Sequence, residues 1–286
     1  MEYGDKHILV LGAGASGIGA SWVLAQVGAH VVLNDYKPMT LPTAEEKRLV
    51  ATGVNIITGR QDESLLDGVD RIVISPGISL DIPIVKAAQA RGIDVVSEVE
   101  LAYEVSKSPI VAVTGTNGKT TTTTLLTKVL EGSGKPVRVG GNIGDSLSEV
   151  AYAMPADGFL VAELSSYQLE TIKHFRPVGA IMLNITPDHL ARHKTMENYI
   201  AAKERIFENQ LSTDFLVLNI DDSVVADMEH RAPSHILQIS QNRVVENGAY
   251  YADGQCYIAK DGIAKSVIGN EDIHIPGRHN IENILT

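Results

Sequence analysis

Cysteine is nearly absent from this chain of 286 residues, which carries only Cys256. One thiol cannot close an intramolecular disulfide, and such usage fits a reducing cytosol. Positive charge is in deficit, with 24 Lys and Arg against 35 Asp and Glu, a formal net charge of −11. That balance argues against nucleic acid as the main partner. No apolar run is long enough to span a membrane, and the N-terminus has no signal-peptide pattern, so the expectation is a cytoplasmic chain without a membrane partner. Internal repeats and low-complexity segments are lacking too. What is present is 44% hydrophobic residues over a length that suggests two domains of ordinary size.

The most informative stretch runs Ile110-Val-Ala-Val-Thr114-Gly115-Thr116-Asn117-Gly118-Lys119-Thr120-Thr121. It reads as a buried strand, a tight glycine turn and a helix opened by a lysine and hydroxyls. Backbone N–H groups at such a turn, with the positive end of the helix dipole, face an anion. Lys119 is placed to neutralise phosphate charge and the Thr120 hydroxyl to bind Mg²⁺. The general phosphate-loop pattern wants a glycine where Val113 stands, so this loop is a shortened variant.

Before the loop, strands and helices alternate: strands at 7–11, 31–34, 71–75 and 95–96, helices at 16–27, 83–90 and 98–105. Alternation implies a parallel sheet with helices on both faces. Ser106–Pro109 reads as a domain junction. After it come the strand 110–114 and a helix 119–130, then strands at 137–139, 158–162, 179–183 and 215–219, with a helix Met196–Asn209. Residues 235–275 read as β-hairpins, and His279–Thr286 as the opening of a helix that the chain leaves unfinished, as in a piece of a longer protein.

Several strand ends carry candidate chemistry. Gly12-Ala-Gly14-Ala15-Ser16-Gly17 sits between strand and helix, with Asp35 ending the next strand, as a dinucleotide fingerprint requires. Its alternative reading is a tight turn with close helix packing. Ser75-Pro76-Gly77 is either part of the same ligand crevice or an ordinary turn. Asn142, in Gly140-Gly-Asn-Ile-Gly144, either points an amide at ligand or belongs to a plain glycine turn. Glu163 ends an apolar strand beside the phosphate loop, where an acid is placed to hold Mg²⁺; its alternative is a solvated residue before a capped helix. Asp188-His189 follows a third strand end and adds groups to the same rim. Lys203, by its own pattern, reads as a solvated lysine.

Together these motifs resemble the Mur ligase family of bacterial cell-wall enzymes, and within it the D-glutamate-adding branch, across residues 7–286. The segments carrying the resemblance are Gly12–Gly17, Ser75–Ile78, Thr114–Thr121, Glu163–Glu170, Asn184–His193 with Ala201-Ala-Lys203, and Gly277–Asn283. The family has an aspartate where this chain has Ala191. The implied fold is α/β: a Rossmann-like, UDP-substrate-binding domain over 1–107, then a phosphate-loop-type, ATP-binding domain with a small β-hairpin region over 108–286. The family's third domain is not in this sequence.

The resemblance implies roles. Gly14, Ala15, Ser16, Asp35, Tyr36, Lys37, Ser75, Pro76 and Gly77 would hold the UDP part, with Asn142 and His189 on the muramoyl substrate. Gly115, Thr116, Asn117, Gly118, Lys119, Thr120 and Thr121 would cradle ATP, and Asn280 and Asn283 would approach adenine. Thr120, Glu163, His189 and a carbamylated Lys203 would hold Mg²⁺; Lys119, Glu163, His189 and Lys203 form the implied catalytic set. The implied reaction is ATP-dependent ligation of D-glutamate to UDP-N-acetylmuramoyl-L-alanine through an acyl phosphate, by a monomer, with little activity expected of this piece. Two other functions remain open: a non-catalytic nucleotide-binding module, and an oxidoreductase holding NAD at Gly12–Gly17.

Overall fold

A computed structural model of the protein describes residues 3–286. The chain forms two compact units. One contains the residues up to Lys107 together with Gly144–Pro155 and Tyr167–Phe175; the other contains Ser108–Ile143, Ala156–Ser166 and Arg176–Thr286. The domain junction expected at Ser106–Pro109 would put both later segments in the second domain, whereas they pack in the first unit.

In the first unit, β1 (His7–Leu11), α1 (Ala15–Gln26), β2 (His30–Asp35), α2 (Thr43–Ala51), β3 (Asn55–Thr58), β4 (Arg71–Ile74), α3 (Pro83–Ala90), β5 (Asp94–Ser97) and α4 (Glu98–Val105) follow in chain order. The strands form a parallel sheet in the order β3-β2-β1-β4-β5. Successive strand side chains point to opposite faces. Ile8 and Val10 accordingly pack with residues of α1, α2 and α4, while Leu9 and Leu11 pack with Ile84, Val85 and Ala88 of α3. Alternation of strands and helices was legible in the sequence; α2 and β3, polar or short, were not.

The second unit begins with β6 (Ile110–Thr114), α5 (Lys119–Glu131) and β7 (Val137–Gly141). The chain then enters the first unit as α6 (Leu147–Ala153), which packs on α1 and α4. It returns as β8 (Phe159–Glu163), and continues through α7 (Ser166–Leu169), β9 (Gly179–Met182), α8 (Leu190–His193), α9 (Met196–Glu204), β10 (Phe215–Asn219), α10 (Ser223–Ala226), β11 (His235–Ser240), β12 (Gly248–Ala252), β13 (Gln255–Lys260), β14 (Ile263–Gly269) and α11 (Arg278–Leu285). The sheet order is β14-β13-β12-β11-β10-β9-β6-β8-β7. From β7 to β12 the neighbours are parallel, so the carboxyl ends of β6, β7, β8 and β9 lie on one edge. Gly141, Glu163, Val113 and Ile181 are register partners in one row there.

Two expectations are corrected. The helix read as Met196–Asn209 is α-helical only to Glu204 and tightens into a 3₁₀ turn over Arg205–Phe207, a common way to satisfy the last carbonyls. The region 235–275 is not all hairpins: β11 is parallel to both β10 and β12, and only β12, β13 and β14 form an antiparallel meander. Gly248 allows this, because at φ +133° its Cα passes so near Gln238 that a Cβ would lie 1.9 Å from the Gln238 oxygen. Cys256 is buried beside Ile239 and Leu285.

Candidate functional site

The loop after β6 is shaped by its two glycines. Gly115 has φ +151°, and a Cβ there would meet Leu183 Cβ at 2.9 Å; Gly118, at φ +87°, caps α5 without a side-chain hydrogen bond. An uncapped N-terminus leaves its first N–H groups available to an anion. The segment after β9 braces the loop. Asn184 accepts from Asn117 N at 2.8 Å and donates to Asn117 O at 3.1 Å, and Thr116 N donates to Asn184 O at 2.8 Å. Thr116 Oγ1 donates to Thr186 O at 3.2 Å and accepts from Thr186 N at 3.0 Å. Lys119 Nζ curls back to donate to Gly115 O at 3.1 Å and Thr116 O at 2.9 Å. Burial lowers its pKa, against the pull of Glu163 and Asp188. Thr121 is half-buried on the first turn of α5.

Glu163 lies at the end of β8, 1% exposed. Its carboxylate accepts from Thr120 Oγ1 at 2.9 Å and from Asn142 Nδ2 at 2.8 Å. Asn142 N also donates to Glu163 O at 2.8 Å, an approach open because Gly141 lacks a Cβ that would lie 2.3 Å from that oxygen. Mg²⁺ takes hard oxygen ligands, one or two from carboxylates and the rest from phosphate and water. The adjacent oxygens of Thr120 and Glu163 fit that requirement. Among the described residues no three His, Cys, Asp or Glu side chains gather as a metal cluster. Of the residues implied as metal ligands, Thr120 and Glu163 are in direct contact, while His189 and Lys203 make other contacts. His189, at φ +53°, is exposed with Nε2 3.3 Å from Asp188 Oδ2, and Lys203 is an amine donating to the loop.

Lys203 is not the solvated lysine that its pattern suggests. It is 2% exposed, and Nζ donates to Gly115 O at 2.7 Å and Thr114 Oγ1 at 3.3 Å. Burial first, then the charge of Lys119, lowers its pKa to about 7. Tyr199, four residues earlier and 1% exposed, puts its ring 5.0 Å from Lys203 Nζ and its hydroxyl 3.0 Å from Thr116 Oγ1. His193 packs on the same ring at 5.4 Å and meets Ser166 Oγ at 2.9 Å. Sequence reasoning missed Asn184 and Tyr199 as site residues. The i, i+4 spacing of Tyr199 and Lys203 on one helix face was the available signal.

Asn283, on α11, is 4% exposed; its amide oxygen accepts from Thr122 Oγ1 at 3.3 Å and its Nδ2 donates to Asn280 at 3.1 Å. Asn280 donates in turn to Pro276 O at 2.7 Å. Both amides are thus engaged within the protein, holding α11 near the loop.

In the first unit, the turn after β1 is equally tight. A Cβ on Gly12 (φ +98°) would lie 2.8 Å from Ser75, and one on Gly17 would lie 1.8 Å from Gly12 O. Ser75 Oγ donates to Gly12 O at 3.2 Å. Asp35 accepts from Ala13 N at 3.0 Å and Lys37 N at 2.9 Å, one on each carboxylate oxygen. Gly14, Ala15, Tyr36, Lys37 and Gly77 are exposed around this turn, with Ser16 and Pro76 half-buried. The glycine turn and Ser75 are thus brought together, and Asp35 is tied to the backbone of the turn. Beneath it, Glu98 is fully buried and accepts from Ser148 N at 3.0 Å, Ser148 Oγ at 2.9 Å and Ser146 Oγ, with the Ser16 hydroxyl also facing it. Burial raises its pKa.

Comparison with known proteins gives this geometry a context. Residues 113–286 match the model of the Mur ligase middle domain, and residues 6–97 that of the MurD-like N-terminal domain. The chain is 45% identical over 285 residues to a UDP-N-acetylmuramoylalanine–D-glutamate ligase of Thermoanaerobacter sp., covering 100% of this chain and 63% of that protein. The protein of the same name from Halalkalibacterium halodurans is 43% identical over 284 residues, 99% of this chain and 62% of its own length. The chain thus spans under two thirds of these relatives. A solved UDP-N-acetylmuramate:L-alanyl-γ-D-glutamyl-meso-diaminopimelate ligase from Neisseria meningitides superposes with a TM-score of 0.63 at 23% identity, covering 98% of this chain and 91% of its own. A murein peptide ligase from Psychrobacter arcticus gives 0.59 at 19%, over 98% and 63%. These two likenesses concern the fold. With one family model covering more than half of its length, and the phosphate loop inside that match, this chain belongs to the Mur ligase family.

Proposed function

We propose that the chain carries the UDP-substrate-binding and ATP-binding parts of an ATP-dependent ligase that joins D-glutamate to UDP-N-acetylmuramoyl-L-alanine in cytoplasmic peptidoglycan precursor synthesis. The observation that carries the reading is the phosphate loop with Lys119 at its helix start and Glu163 hydrogen-bonded to Thr120 beside it. The names of the relatives at 43–45% identity support the substrate assignment.

In this reading the L-alanine carboxylate attacks the γ-phosphate of ATP, and ADP leaves. The amine of D-glutamate attacks the acyl phosphate, an amide forms and phosphate leaves. No protein nucleophile is needed; positioning and electrostatics do the work. Mg²⁺, held through Thr120 and Glu163, would offset charge on the transferring phosphoryl group. Lys119 gives up its carbonyl partners and turns its ammonium to phosphate, while the loop N–H groups orient the anion. Asn142 holds Glu163 in place. Lys203, with its pKa near 7, has neutral amine available to attack CO₂: the N–C bond forms, a proton leaves and a carbamate replaces the cation. In the first unit the Gly12–Gly17 turn and Ser75–Gly77 receive the UDP part.

A second reading is a nucleotide-binding module that binds UDP-sugar and ATP without catalysis; the glycine loop with its uncapped helix start can hold an anion whether or not turnover follows. The NAD reading leaves the Lys119 loop and the Thr120–Glu163 pair without a purpose. Calorimetry with the UDP-sugar and with ATP, plus phosphate release with D-glutamate, tests the proposal. Binding of neither nucleotide would sink it, and robust turnover would sink the module reading.

A further inference from the structure

Tyr199 is among the largest fully buried side chains of the protein, yet both of its ends are engaged with groups of the nucleotide loop or its neighbours. Thr116 Oγ1 donates its one proton to Thr186 O, and accepts from Thr186 N. A hydroxyl has one proton and two lone pairs. The remaining lone pair faces the Tyr199 hydroxyl at 3.0 Å, so Tyr199 is the donor and the hydrogen-bonding capacity of Thr116 is filled. The other end of the same side chain, the ring, packs with Lys203 Nζ 5.0 Å from its centroid. Lys203 in turn holds the carbonyl of Gly115. Two consecutive loop residues are therefore fixed by one side chain, Thr116 directly and Gly115 through Lys203. The ring is held in its plane by His193, which is itself anchored on Ser166.

We propose that Tyr199 is a positioning residue of the nucleotide site, holding the Gly115-Thr116 segment in its phosphate-ready shape through its hydroxyl on Thr116 and its ring beneath Lys203. The proposal rests on the reading of Gly115–Thr121 as the ATP loop. It assigns Tyr199 no contact with ATP; its effect passes through Thr116 and Gly115.

The test is a double-mutant cycle on ATP affinity, measured by calorimetry with MgATP on this chain. Tyr199→Phe keeps the ring and removes the donor, and Thr116→Val removes the acceptor. Each is expected to weaken ATP binding about fivefold, the effect of one hydrogen bond. The double variant is expected to be no weaker than the worse single variant, because the lost contact is shared. Tyr199→Leu, which also removes the ring, should weaken binding further than Tyr199→Phe while thermal unfolding stays cooperative. Unchanged affinity in Tyr199→Phe, or additive losses in the double variant, would overturn the proposal alone. Failure of the unsubstituted chain to bind ATP would overturn the nucleotide reading and this proposal with it.

Discussion

Lys119 and Lys203 donate to the same oxygen: Gly115 O accepts from Lys119 Nζ at 3.1 Å and from Lys203 Nζ at 2.7 Å. Two ammonium groups on one carbonyl repel each other, and the charge of Lys119 is one reason that the pKa of Lys203 falls. A triphosphate would relieve this crowding by drawing Lys119 away.

Lys119→Ala is therefore expected to act twice. It removes a charge-assisted contact worth about 1.5–3 kcal/mol, so ATP affinity should fall by about ten- to a hundredfold in calorimetry. It also removes the neighbouring charge, so Lys203 should titrate at higher pH, as followed by NMR of the labelled side chain. UDP-sugar affinity should stay nearly intact; losing both affinities together would show that the two sites are not separate.

Lys203 predicts a pH dependence of stability. Its folded pKa of about 7 lies below the ordinary lysine value of about 10.4. Between these values the unfolded chain binds more protons, so this residue's contribution rises with pH through that window, by at most about 1.4 kcal/mol per unit. Urea midpoints at pH 6, 8 and 9.5 should show the rise, and Lys203→Met should flatten it. Equal slopes in both proteins would contradict the burial argument.

Glu98 predicts the opposite slope. Burial raises its folded pKa above the unfolded value of about 4.3. The native state then keeps a proton that the unfolded state releases, so its contribution is lost as pH rises through the folded value. Glu98→Gln keeps the shape and carries no charge. It should match or exceed the parent in stability at pH 8, with the difference shrinking toward pH 4. A variant much weaker at pH 8 would mean that the ionised carboxylate is what Ser146 and Ser148 require.

Gly118→Ala should damage the loop specifically. The backbone there has φ +87°, and the new Cβ would lie 2.4 Å from Asn283 Oδ1. The expected cost is about 1–3 kcal/mol, read as a lower thermal midpoint, together with weaker ATP binding. Gly134→Ala shares a positive φ of +75° but meets nothing within 4 Å; it should cost stability without touching ATP affinity.

How much of this was legible in the sequence depends on range. The strand, glycine turn and helix around Gly115–Lys119 and the alternating first sheet are local patterns of periodicity and glycine spacing, and they were legible. The burial of Lys203 was not legible in its local pattern, because its partners Thr114 and Gly115 lie about ninety residues away in the chain, and only the family resemblance singled it out. The parallel pairing of β11 with β12 was missed for a related reason. A seven-residue connection, 241–247, usually means a hairpin, and here Gly248 lets two backbones approach in the other sense. The assignment of α6 to the first unit depends on Glu98 meeting Ser146 and Ser148, partners about fifty residues apart.

Cys256 sits against Leu285 at the end of α11, whose Asn283 touches the loop at Gly118 and Thr122. Burial raises its pKa, keeping it an unreactive thiol. Because it is the sole thiol of the chain, its alkylation rate reports on the opening of the packing around it, which includes α11. A nucleotide that tightens the loop should slow that rate, with no label to introduce and no background thiol to subtract.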